Sequence, residues 1–245
     1  MTTATDTWLS DWQHWHTERE TLATDVHGLA AATGTHWLSD IPQRIDDVPG
    51  EWIAADGRAI GDGTGFHHEL GPGDRVPSGD LLLQTLIRAG EVALRVFDPQ
   101  APTRTGLEGI DAFTPNPAWV FDGVAENDSA PLRLDHIDGF VSTNTGVRVR
   151  IKVDGRELVL AGAATPAGDI QLTFADTTNG TETQRFRFLT ISAPDSQGRI
   201  AVDFNRAYLP PCAFSDHYLC PLPPPENRLD FPVRAGETFL RRADR

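Results

Sequence analysis

Between Asp203 and Leu229 the sequence gathers both of its cysteines, both of its tyrosines, His217, the adjacent Asn205 and Arg206, and six prolines. Proline fixes φ and removes a donor, so such a stretch runs as extended, polyproline-like chain and cannot be a central strand. A stiff backbone holds polar side chains in fixed places, which suits recognition because their positioning entropy is already spent. Three chemistries fit the residue types. Cys212 and Cys220 can pack as small buried hydrophobes while Asn205 and Arg206 bond loop carbonyls. Cys212, His217 and Cys220 can hold zinc or iron with a fourth ligand, although the seven-residue gap between the cysteines is wider than usual structural-zinc spacing. A thiolate activated by Arg206 or His217 can act as a nucleophile or redox group.

The leading expectation is a small-molecule site under this segment, formed by Asn205, Arg206, Tyr208, Cys212, His217 and Asn227. Arg95 and Asp98 join it from the end of a central strand, Arg95-Val96-Phe97-Asp98. Fixed arginines favour an anionic ligand. The rival expectation is a non-catalytic structural or protein-interaction module in which the same segment is only a lid, and a metalloprotein using Cys212, His217 and Cys220 is the third.

Other constellations are weaker. Gly-x-Ser-x-Gly, His-Glu-x-x-His, the P-loop and Cys-x-x-Cys are all missing, so neither an enzyme class nor a cofactor is indicated. Gly61-Asp62-Gly63-Thr64-Gly65 resembles a phosphate loop, but strand-like residues follow it where a helix N-terminus would be needed. His14 with Glu18, and His16 with Glu20, have helical i,i+4 spacing and read as exposed hydrogen-bonded pairs. In His67-His68-Glu69 neighbouring side chains point to opposite faces of a strand, so at most two could meet one ion.

The elements that must position these groups read as mainly β. From Glu51 onward hydrophobicity alternates with period two. The clearest hairpin is Val147–Val153, Asp154-Gly155, Arg156–Ala161, because Asp-Gly supplies the positive φ values of a type I′ turn. Further hairpins join Leu81–Arg88 to Val92–Val96 through Ala89-Gly90, Trp52–Ala55 to Arg58–Ile60 through Asp56-Gly57, and Ile170–Phe174 to Phe186–Ile191 around Asn179-Gly180. Gly61–Gly79, a glycine-rich stretch with six glycines, reads as a loop. The expected fold is an antiparallel β-sandwich or barrel with an N-terminal amphipathic helix over 7–23, on which Trp8, Leu9, Trp12, Trp15 and Leu22 form the packing stripe. One domain is expected over 1–245, with a β-rich body over 51–204 and a covering segment over 205–229.

A net charge of −14 opposes nucleic acid, whose binding needs basic residues to displace counterions. Apolar runs are too short for a bilayer, and the first thirty residues lack a basic-then-apolar leader, so a cytoplasmic protein with thiols rather than a disulfide is expected.

The string Asp203-Phe204-Asn205-Arg206-Ala207-Tyr208, with Pro210, Cys212, Cys220 to Pro224, Asn227 and Leu229, resembles the bacterial domain-of-unknown-function family 1684. Gly28-Leu29, His36-Trp37-Leu38, Arg95 to Asp98, Gly109-Ile110 and Phe113 are similar to its earlier blocks. The chain departs from the family where a Tyr and a glycine-rich step usually precede Arg-Phe-Leu; here Thr183-Gln184-Arg185-Phe186 stand before Arg187-Phe188-Leu189. The resemblance implies no established activity.

Overall fold

The computed structural model describes residues 4–243, with side chains from Thr7 onward. The protein is mainly β, built of antiparallel sheets, with one long helix, α1 (Ala4–Thr24), at its N-terminus. The described chain divides into two compact units.

The amino-terminal unit comprises Arg19–Glu108, Phe214–Tyr218 and the chain from Arg242. Its strands are β1 (Ala32–Trp37), β2 (Gln43–Ile45), β3 (Val48–Ala55), β4 (Arg58–Gly63), β5 (Phe66–Leu70), β6 (Arg75–Ser78), β7 (Leu81–Arg88) and β8 (Glu91–Phe97). They form two four-stranded sheets, ordered β1-β8-β7-β6 and β2-β3-β4-β5. Trp52, Leu83 and Leu94 are fully buried at the centre of their shared core. The stretch expected as a loop at Gly61–Gly79 instead carries the end of β4 and all of β5 and β6. Its glycines punctuate hairpins rather than dissolve them, Gly65, Gly73 and Gly79 taking positive φ between strands.

The carboxy-terminal unit comprises the chain up to Glu18, Gly109–Ala213 and Leu219–Arg241. Following β9 (Leu107–Ala112) come β10 (Val120–Asn127), β11 (Leu132–Asp135), β12 (Val141–Asn144), β13 (Gly146–Val153), β14 (Arg156–Ala164), β15 (Ile170–Phe174), β16 (Arg187–Ile191), β17 (Arg199–Asp203) and β18 (Glu237–Arg242). Six of them form a half-barrel ordered β16-β15-β14-β13-β10-β17, while β11-β12 and β18-β9 are two-stranded. The β13–β14 hairpin turns at Asp154 and Gly155 with φ of 48° and 78°, the mirror-image turn that Asp-Gly favours. Its alternation sends Val147, Val149 and Ile151 into the core and leaves Arg148 and Lys152 outside.

Of the tryptophan stripe, Trp12 is buried and donates its indole N–H to the Asn205 carbonyl at 2.7 Å, and Trp8 donates to Asp203 at 3.2 Å. Leu9 and Leu22 remain 38% and 53% exposed, so the stripe narrows to its tryptophans.

Deep in this unit Arg187 and Asp176 form an ion pair at 2.8 Å with neither side chain exposed. Arg187 also donates to the carbonyls of Val233 and Ala235, and its guanidinium lies 5.2 Å from the Phe174 ring centroid. The Asp176 carboxylate accepts from the Thr178 N–H, the Thr178 hydroxyl and the Val233 N–H. Burial pushes the arginine pKa down and Asp176 opposes that shift. Removing one partner strands a buried charge, whereas removing both with apolar replacements does not. Asp176→Ala should therefore lower the unfolding free energy by about 3–5 kcal/mol in denaturant titration. Adding Arg187→Met to it should restore a large part of that loss; equal or greater destabilisation in the double variant would contradict the assignment.

Candidate functional site

The Pro-rich segment straps the carboxy-terminal unit. His136 Nδ1 lies 2.8 Å from the Leu219 carbonyl, which can only accept, so in the neutral ring Nδ1 carries the proton and Nε2 accepts from the Ser142 hydroxyl at 3.0 Å. The Ile137 N–H donates to the Cys220 carbonyl and the Leu222 N–H to the Asp135 carbonyl, which fixes the strap to the β11–β12 hairpin. Further along, the fully buried Asn227 side chain accepts from the Ala161 N–H and donates to the carbonyls of Ala161 and Thr173, each at 2.8 Å. That clamps the short 3₁₀ turn Pro225–Asn227 onto β14, and the Leu229 N–H then reaches the Ala175 carbonyl.

Beneath this clamped turn lies a groove of about 400 Å³. Its sides are Gly146–Arg148 of β13, Val159–Gly162 of β14, and Pro131, Leu132 and Arg133 at the start of β11; Pro224, Pro225 and Glu226 form the lip. Gly146 makes the narrow end: a Cβ there would sit 2.9 Å from the Ala130 carbonyl, so only glycine lets residues 128–132 approach β13. At the mouth Asp128 accepts from the Ala130 N–H at 3.1 Å and from Arg148 at 2.8 Å. The Ala130 N–H first, and Arg148 next, hold its carboxyl below the usual carboxylate range. Arg133, exposed on the adjacent wall, has no carboxylate partner among the described residues.

The residues singled out by sequence fall in several places. Asn205 is fully buried; its side chain accepts from the Asn116 N–H and donates to the Asn116 carbonyl and Asp203. It therefore works as a main-chain clamp. Arg206 faces Asp203 at 3.9 Å and lies 5.9 Å from the Trp15 ring centroid. The Tyr208 hydroxyl bonds Gln171 at 3.0 Å and Thr190 at 3.1 Å. Cys212 lines a separate cleft of about 20 Å³ with Gln184, Arg185, Phe186, Pro210 and Ala213, room for a single water. Arg185 thus lines the same cleft as the Cys212 thiol.

In the amino-terminal unit the Thr35 hydroxyl donates to the His217 carbonyl at 2.8 Å and accepts from Arg95 Nε at 3.1 Å, and the Arg95 guanidinium stacks 4.5 Å from the Tyr218 ring centroid. Burial first, and His217 second, lower the pKa of neighbouring His36. Asp98 caps a turn by accepting from the Gln100 N–H. Among the described residues no three His, Cys, Asp or Glu side chains lie in metal-holding geometry. Cys212, His217 and Cys220 are thus not brought together as a ligand set, and His217 is exposed while Cys220 is buried. His67 instead bonds Asp62 at 2.6 Å while His68 stacks on Phe66 and Trp52, the opposite faces expected of neighbours in a strand.

None of the eight sequence-derived candidates lines the groove, though Asn227 builds its lip. Sequence reasoning missed Arg133 because it followed rare residue types; the signal that could have found it was Pro131-Leu132-Arg133-Leu134, a lone cation on a short alternating strand.

The depressed pKa of Asp128 contributes stability that is present above the unfolded-state value near 3.8 and is lost as pH falls through the lower folded-state value. Urea melts between about pH 5 and pH 2 should show the wild type losing more stability than Asp128→Asn. Parallel curves would contradict the mouth geometry.

No curated protein matches the chain. A family model described as a protein of unknown function (DUF1684) matches residues 105–238, which leaves the similar blocks at Gly28, His36 and Arg95 outside the matched range. Among solved structures, the chain is similar to an uncharacterized protein of Haloarcula marismortui determined by solution NMR, at 29% identity over 54% of this chain and 76% of that one, with a TM-score of 0.45. Among the described residues no helix is long and apolar enough to cross a membrane.

Proposed function

This chain belongs to the DUF1684 family of proteins of unknown function, and on that premise we infer that its carboxy-terminal unit binds a small amphipathic anion in the groove beneath Pro224–Glu226. The observation that carries the reading is a groove of about 400 Å³ with apolar sides and one arginine, Arg133, that no carboxylate neutralises among the described residues. Small-ligand sites fall in this size range and combine apolar walls with a few placed polar groups. A guanidinium's planar fork matches a carboxylate, sulfonate or phosphate. Arg148 is already held by Asp128, so Arg133 is the cation left for a ligand.

A chain of net charge −14 repels anions at long range, so affinity must come mainly from apolar burial against Leu132 and Val159, about 0.8 kcal/mol for each CH₂ removed from water. No Ser, Cys or His stands among the lining residues, which favours binding over nucleophilic chemistry. Asn227 supports the site as a positioning residue, since its amide fixes the lip to β14.

The probe is anilinonaphthalene sulfonate, an apolar ring system with one anionic group whose fluorescence rises in dry surroundings. Saturable binding is expected, weakened about tenfold in Arg133→Ala, as suits the loss of one charge-assisted contact, with the melting temperature unchanged. Val159→Trp should fill the groove and abolish the signal. Unaltered affinity in both variants would place the dye elsewhere and overturn the reading.

A further inference from the structure

We propose that Cys212 and Cys220 form a reversible redox pair, in which hydrogen peroxide oxidises Cys212 and Cys220 resolves it to an intramolecular disulfide. The site is independent of the groove. No disulfide joins the two thiols in the structure. The Cys212 N–H nevertheless donates to the Cys220 sulfur at 3.3 Å, which puts that sulfur within a side chain's reach of Cys212.

The two positions are unequal in the way such a pair requires. Cys212 is half-buried in the short 3₁₀ turn Pro211–Ala213 and lines a small cleft of about 20 Å³, so it is the more accessible of the two cysteines. Arg185 lines the same cleft, and a neighbouring cation favours the thiolate, the reactive form. Cys220 is only 4% exposed, and its carbonyl accepts from the Ile137 N–H, so its sulfur is shielded from reagent yet held against residue 212. Exposure and thiolate character decide which cysteine reacts first, so Cys212 attacks and Cys220 resolves.

The Cys212 thiolate attacks one peroxide oxygen; an S–O bond forms, the O–O bond breaks, and the departing hydroxide takes up a proton as water. The Cys220 thiolate then attacks the Cys212 sulfur; the S–S bond forms, the S–O bond breaks, and the second hydroxide leaves as water. Two thiols are oxidised by two electrons and one peroxide is reduced to two waters, with both thiol protons ending in those waters. A dithiol reverses the step by exchange.

The test treats the reduced full-length protein with hydrogen peroxide and follows it by mass spectrometry and by thiol titration after unfolding. The expected product is monomeric, lighter by two hydrogens, has lost both titratable thiols, and yields a peptide linking Cys212 to Cys220 that dithiothreitol separates. In Cys220→Ala, Cys212 should stop at the sulfenic acid and be trapped by a dimedone probe. In Cys212→Ala, Cys220 should react at least roughly tenfold more slowly than Cys212 does. Circular dichroism establishes that both variants are folded, and the wild-type mass result stands without them. Retention of both thiols, oxidation that begins at Cys220, or disulfides found only between chains would each overturn the proposal.

Discussion

Asp176 and Arg187 meet at 2.8 Å where neither side chain reaches water, and a buried pair of this kind needs hydrogen bonds to its other donors and acceptors, which all of them but Arg187 Nε find. The partners that satisfy them lie mostly on the last part of the chain. Val233 supplies both its N–H and its carbonyl, and Ala235 a carbonyl, so residues 233–235 have one place to go. The constraint propagates: fully buried Glu237 accepts the Leu209 N–H at 2.7 Å, while Tyr208 bonds Phe188 in both directions through its main chain. The chain on either side of the Pro-rich strap is thereby anchored before the strap itself is considered.

The strap then closes the groove by local means. Its prolines donate nothing, so the backbone bonds that hold it come from the few residues that can make them, Leu222, Asn227 and Leu229 among them. This explains why the rare polar types in this region are main-chain clamps. Asn205 and Asn227 are conspicuous because a buried amide offers donors and acceptors together, and both spend them on main chain. The polar groups that face the groove are ordinary residues on the β11 and β13 walls.

How much was legible in the sequence follows from range. The Asp154-Gly155 hairpin could be read because turn chemistry and alternation are local, and the Ala89-Gly90 and Asp56-Gly57 turns for the same reason; all three pairs take positive φ. Arg187 could not be read. In Arg185-Phe186-Arg187-Phe188 alternation leaves the face of the arginines undecided, and its burial depends on Asp176 and Val233, the latter 46 residues away. Phe186 and Phe188 are buried as well, so the pattern there is a run rather than an alternation. The groove was illegible for a related reason: its walls come from residues 128–133, 146–148, 159–162 and 224–226, segments far apart in the chain.

Amide hydrogen exchange on the native protein measures the central claim most directly. If the Asp176–Arg187 pair locks the carboxyl-terminal chain into the core, the N–H groups of Val233, Leu229 and Ala175 exchange only through global unfolding, with the same free energy as those of Val149 and Leu172. Exchange of Val233 and Leu229 through a much cheaper local opening, while the central strands stay protected, would contradict the account.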